Sequence, residues 1–170
     1  MEKGVTSATT TQRWLVHLGS IGPLGHLPAS GTATVAIAGI PLFWVFSKQL
    51  VVLQIVFTVV FGFAAIWLHH NGDKIVGEKD SRLLVWDELA GFFVAVIAVP
   101  FTWQLAVIAF FAERIIDIAK VPPAKQIEDH WPGGWGVVGD DIVAGLYTLG
   151  LLHLAMRLFP AWVGLGNPIV

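Results

Sequence analysis

Trp86-Asp87-Glu88-Leu89-Ala90-Gly91-Phe92-Phe93-Val94-Ala95-Val96-Ile97-Ala98-Val99-Pro100 is an apolar run with two adjacent carboxylates in its first turn. In a soluble protein it would be a core helix wrapped by polar neighbours, and the chain has too few of them. Its 170 residues are 55% hydrophobic and 13% charged, whereas an average soluble domain carries about 25% charged residues. The composition predicts an all-α fold, a polytopic membrane helix bundle. Charge inside a membrane segment is costly and marks a functional site, so Asp87 and Glu88 set the question for the rest of the chain.

Working outward, the next apolar run, Trp103 to Ala119, carries Glu113, Arg114 and Asp117, and the last, Ile142 to Phe159, follows directly on Asp140-Asp141. Before the quoted run, Leu50 to Leu68 has no charge and predicts a spanning helix. Thr32 to Phe46 is short of the roughly 20 residues a span needs and contains Pro41, so it either spans with a kink or re-enters. The count is four to five membrane segments. Arg13 to Ile21, with Trp14, is too short to cross and predicts an N-terminal interfacial helix. Residues 1–12 read as a flexible tail without the apolar core of a signal peptide, and 13–170 as a single integral-membrane domain. His69 to Arg82 reads as a polar loop, and Lys120 to Asp140 as a Pro/Gly-containing connection. The chain has no cysteine, which excludes disulfides, thiol nucleophiles and thiolate metal sites. A net charge of −2 leaves no footprint for nucleic acid.

Alternation of the segments brings every charged motif to one surface. Of the ten Lys and Arg, eight belong to that side, and only Lys48 and Arg157 to the other. The positive-inside rule makes the charged side cytoplasmic.

Glu113, Asp117 and Lys120 share a helical face, and Arg114 can reach Asp117. An internal salt bridge that merely locks packing is the ordinary reading of that group. Asp140-Asp141 stands where an acidic residue caps a helix, but two carboxylates exceed what a cap requires. With Asp87, Glu88 and Asp117 they predict a carboxylate-rich pocket of the kind hard cations such as Mg²⁺ prefer, since like charges this close repel without a cation or protons between them. Gly31-Thr32, feeding a helix N-terminus, offers backbone N–H groups and a hydroxyl to a phosphate; a plain cap is the ordinary alternative. His26, His69 and His70 are of the type that serves as ligand or general base; solvated loop residues are the ordinary reading.

Together these motifs resemble the phosphatidylglycerophosphatase A family. The resemblance rests on Gly31-Thr32 after a Pro/Gly-rich loop, Gly77-Glu78-Lys79-Asp80, Trp86-Asp87-Glu88-Leu89-Ala90-Gly91, Arg114-Ile115-Ile116-Asp117, Lys120-Val121-Pro122-Pro123, and Gly133-Gly134-Trp135-Gly136-Val137-Val138-Gly139-Asp140-Asp141-Ile142-Val143-Ala144-Gly145. The family's first motif reads Pro-Gly-Thr-x-Gly-Ser where this chain has Ser30-Gly31-Thr32-Ala33-Thr34-Val35, so the Gly-Thr is kept and the Gly-Ser is replaced by Thr34-Val35. The resemblance implies a bacterial inner-membrane phosphatase of phospholipid biosynthesis. It would use Mg²⁺ to convert phosphatidylglycerophosphate to phosphatidylglycerol and inorganic phosphate. Asp87, Asp117 and Asp141 are then the catalytic candidates, and Asp87, Glu88, Asp140 and Asp141 the metal ligands. Gly31, Thr32, Arg114 and Lys120 would bind substrate, with Asp80 and Glu113 supporting them. A membrane transporter or channel subunit with a carboxylate cation site is the alternative. The motif of the CDP-alcohol phosphotransferases is missing.

Overall fold

The computed structural model describes residues 9–166, and among these the chain is helical throughout, with no strand. The helices are α1 (Thr10–Gly19), α2 (Ser30–Phe46), α3 (Val51–Val76), α4 (Trp86–Ala95), α5 (Trp103–Ala119), α6 (Ala124–His130) and α7 (Gly134–Leu158). Two of them, α3 and α7, are long and apolar enough to cross a membrane.

Helix α3 shows how the sequence chooses its faces. Gln54, Thr58, Gly62, Ala65, His69, Gly72 and Asp73 are buried, whereas Val52, Ile55, Val59, Val60, Phe63 and Trp67 are exposed. Along residues 51–67 small and polar residues face the bundle and large apolar ones face outward, the reverse of a soluble helix and the arrangement of helices that pack in lipid; nearer the helix end Leu68 and Val76 are buried too. Helix α2 is wound wider at Val35–Gly39, where a π-turn joins its two α-helical halves. The core is aromatic: Phe43, Phe92 and Phe93 are fully enclosed, and Phe61 stacks on Trp86 at 4.6 Å.

The polar contacts divide the bundle into two ends. At one, the Gln54 amide donates to the Phe46 carbonyl and its oxygen accepts from Ala98 N–H, and Thr102 donates to Val163 O. At the other, Trp86 Nε1 donates to Leu18 O, Ser30 Oγ to Arg82 O, and Lys79 Nζ to Glu128 O. The carboxylates of interest lie toward this second end.

Four expectations need correction. The quoted apolar run is not one segment: α4 covers only Trp86–Ala95, about 15 Å of helix, and is buried on nearly all sides. The stretch from His69 is not a loop: α3 continues to Val76, where Gly77 takes a left-handed conformation (φ 87°) that ends it. Gly134 onward is helix, so Asp140 and Asp141 sit in the second turn of α7 and cap nothing. Helix α1 starts at Thr10, with a reciprocal capping box between Thr9 and Gln12, inside the stretch read as tail; residues 1–8 of that tail lie outside the described residues. Trp14 and Leu18 on α1 are largely exposed.

Candidate functional site

Two glycines assemble the site. A Cβ on Gly145 would lie 2.3 Å from the Gly91 carbonyl oxygen, and one on Gly91 would lie 2.7 Å from the Asp141 carbonyl oxygen. Only hydrogen at both positions lets α4 and α7 cross this closely. Asp87 precedes Gly91 by one turn, and Asp141 precedes Gly145 by one turn, so the crossing carries both carboxylates to the same depth.

Asp117 of α5 completes a group with the α7 pair: one carboxylate oxygen from each of Asp117, Asp140 and Asp141 lies within 4.8 Å of the others. Asp140 and Asp141 are buried and Asp117 half-buried. Two cations hold the group together. Arg114 donates through Nε to Glu113 Oε2 at 2.7 Å and through Nη2 to Glu113 Oε1 at 2.6 Å, reaches Asp141 at 3.2 Å, and lies 3.6 Å from Asp117. Its closest partner is therefore its chain neighbour and not Asp117. Lys120, in a left-handed conformation just past α5, bonds Asp140 and lies 3.7 Å from Asp117 and 3.4 Å from Glu128. Enclosure alone would lower the Lys120 ammonium, but the Asp140 bond, with Asp117 and Glu128, holds it above its ordinary range. Glu113 is fully buried, its Oε1 2.8 Å from where a Gly91 Cβ would stand. It anchors Arg114 against the crossing.

Asp87 and Glu88 form a neighbouring group and lie outside the tight three-carboxylate set. His69, fully buried on α3, puts Nε2 3.2 Å from Asp87 Oδ1 and Nδ1 3.8 Å from Asp73 Oδ2. Asp73 in turn accepts from the backbone N–H groups of Asp80 and Ser81, which fixes the loop behind it. Glu88 turns toward α2: a Cβ on Gly31 would stand 1.5 Å from Glu88 Oε1. Gly31 is thus a seat for a carboxylate. Thr34 is fully buried, with an unpartnered hydroxyl. Gly31, Thr32, Glu88 and Asp80 line one cavity of about 990 Å³. Partial enclosure first, then the Asp87 carboxylate, push the rim residue Asp80 up to about 6.

These residues fit a divalent cation on two counts. Glu88 Oε2 is buried without a hydrogen-bond partner and Asp87 Oδ1 has only the His69 ring nitrogen at 3.2 Å, a costly state for carboxylates unless something else satisfies them. The donors are all carboxylate oxygens, the ligand set of a hard cation. The sequence reading placed His69 in a loop and passed over Asp73, because Leu68-His69-His70-Asn71-Gly72-Asp73 is polar enough to pass for loop. The helix-ending Gly77 was the signal that the helix runs on through them.

The phosphatidylglycerophosphatase A family model matches residues 17–156. The chain belongs to this family. The match spans every motif from the α1 end to α7, and so contains all the carboxylates described above. Over 129 residues the chain is 30% identical to phosphatidylglycerophosphatase A of Escherichia coli, covering 74% of this chain and 73% of that protein. A Bacteroides thetaiotaomicron relative with the provisional name phosphatidylinositol-3-phosphatase is 40% identical over 100 residues, 57% of this chain and 62% of the relative. A Haemophilus influenzae phosphatidylglycerophosphatase A is 30% identical over 96 residues, covering 56% and 59% respectively. No solved structure matches the chain.

Proposed function

We propose that this chain is a Mg²⁺-dependent phosphatase of the bacterial inner membrane that hydrolyses phosphatidylglycerophosphate to phosphatidylglycerol and inorganic phosphate. The observation that carries the reading is the convergence of Asp117, Asp140 and Asp141 beside the buried pair Asp87-Glu88, whose Glu88 Oε2 has no hydrogen-bond partner, in a chain of this family. Helices α2, α3, α5 and α7 cross the bilayer, and α4 is enclosed by them. The site faces the cytoplasm, because among the described residues Lys48 and Arg157 are the Lys and Arg that belong to the opposite end.

Asp87, Glu88, Asp140 and Asp141 would hold the ion, which when bound supplies Lewis-acid stabilisation of the phosphoryl oxygens. Asp117 is the most solvent-accessible of its three-carboxylate group, and so is the one placed to take a proton from the attacking water and pass it to the oxygen that leaves. The phosphorus–oxygen ester bond to the headgroup glycerol breaks, and that oxygen leaves as the alcohol of phosphatidylglycerol. Arg114 and Lys120 oppose the negative charge that develops on the phosphoryl oxygens. Gly31 and Thr32 border the phosphate from the α2 end. The acyl chains stay outside the bundle, against the apolar faces of α1 and α3, so the lipid need not leave the bilayer.

The test is release of inorganic phosphate from phosphatidylglycerophosphate by the purified protein in detergent. Turnover with Mg²⁺ that stops on chelation and resumes on Mg²⁺ addition supports the proposal. A folded, Mg²⁺-loaded protein that releases none overturns it.

A further inference from the structure

The cavity that reaches Glu88 has a basic outer wall that neither the carboxylate site nor the family motifs account for. Arg13 and His17 from α1, His26 from the following loop and Arg82 from the α3–α4 loop line it, with Asp80 and Glu88 as its carboxylates. The wall is held in place. Val85 N–H donates to Gly19 O at 3.0 Å, Trp86 Nε1 donates to Leu18 O at 2.9 Å, and Ser30 Oγ bonds the carbonyl of Arg82 itself. Arg13 and His17 lie one turn apart on α1, so they share a face. Trp14 and Leu18, on the adjacent face, are exposed. The wall therefore stands at the level where α1 would meet lipid headgroups.

Deeper in the site, Arg114 and Lys120 already face Glu113, Asp117, Glu128, Asp140 and Asp141. Two cations among five carboxylates leave no surplus positive charge for a second anionic group. A lipid whose headgroup carries both a phosphomonoester and a phosphodiester brings two, separated by a glycerol. A volume of about 990 Å³ is ample for such a headgroup, being at the upper end of small-molecule sites.

We propose that Arg82 and Arg13, with His17 and His26, form a phosphodiester subsite that anchors the lipid while its terminal phosphate reaches the carboxylate cluster. This rests on the reading of the chain as a phosphatidylglycerophosphate phosphatase. It assigns substrate selection to the outer wall: a headgroup with a single phosphate satisfies only one of the two sites. Losing one charge-assisted contact of this kind weakens binding roughly tenfold.

The experiment uses the full chain in detergent, as wild type, Arg82→Gln, Arg82→Lys and Arg13→Gln. Equilibrium binding of short-chain phosphatidylglycerol, which carries the diester alone, is measured beside the KM and kcat for phosphatidylglycerophosphate. Arg82→Gln and Arg13→Gln are expected to weaken phosphatidylglycerol binding and raise KM, each roughly tenfold, with the loss in KM and not in kcat, and Arg82→Lys to recover part of it. Phosphatidylglycerol binding unchanged in both glutamine variants, or a loss confined to kcat, overturns the subsite. Should wild type release no phosphate, the function proposed above fails, and phosphatidylglycerol binding by wild type against Arg82→Gln still decides the subsite: weaker binding in the variant supports it and equal binding overturns it.

Discussion

Replacing Gly31 by alanine separates chemistry from folding at this site. The added Cβ would stand 1.5 Å from Glu88 Oε1 and 2.1 Å from its Cδ. Restoring ordinary contact requires the carboxylate to retreat by about 2 Å. The obstacle is the far end of a flexible side chain and not backbone, so the fold yields cheaply. Alanine in the first turn of α2 gains about 1 kcal/mol of helix propensity, against about 1–3 kcal/mol for overpacking, a net destabilisation of at most about 2 kcal/mol. Activity responds differently, because a misplacement of about 1 Å in a pre-organised site can cost about a hundredfold. Gly31→Ala should therefore lose at least about a hundredfold in phosphate release while its melting temperature falls by only a few degrees. Gly39→Ala, whose Cβ meets side chains no closer than 3.2 Å, is the control and should keep most of its activity. A Gly31→Ala protein with more than half of wild-type turnover would refute the placement of Glu88 in the site.

Other perturbations address the remaining supports. Gly145→Ala would press a methyl into the Gly91 carbonyl at 2.3 Å; since backbone must move, it should destabilise by at least about 2 kcal/mol and lower the melting temperature well beyond Gly31→Ala. His69→Ala empties a fully buried position and leaves Asp87 without its 3.2 Å partner; a loss of about 3–5 kcal/mol is expected, read by thermal denaturation. Asp80 titrates near 6 in the folded protein, above its ordinary 3.8, so folding favours its protonated form. Stability from this group is present below pH 3.8 and lost as pH rises through about 6; Asp80→Asn should flatten that fall in a melting-temperature profile of metal-free protein.

The class of fold was legible because composition and apolar run length are sums over many residues. The carboxylates were legible because each stood out against an apolar background: Asp87, Glu88, Asp117, Asp140 and Asp141 are all drawn toward one end of the bundle. Their grouping was not. The sequence joined all five in one pocket, whereas packing puts Asp117 with the α7 pair and turns Glu88 to Gly31. That division follows from backbone approach at Gly91 and Gly145, a three-dimensional fact that helical periodicity does not carry. The place of His69 and Asp73 was hidden for the opposite reason: they are polar residues in a polar stretch, and only burial distinguishes them. Glu113 was read as a neighbour of Asp117 on one helical face, yet its carboxylate folds back on Arg114, a rotamer choice made by the glycine crossing. The basic wall was missed because its members come from three separate segments, each ordinary alone.

The central claim is that these carboxylates run phosphate release from phosphatidylglycerophosphate. Its most direct test is the rate of inorganic phosphate release by wild type and Asp141→Asn, in the same detergent with Mg²⁺, alongside thermal melts of both. The account predicts turnover in wild type and a loss of at least about a thousandfold in a folded Asp141→Asn protein. A folded Asp141→Asn protein that releases phosphate at the wild-type rate would contradict it.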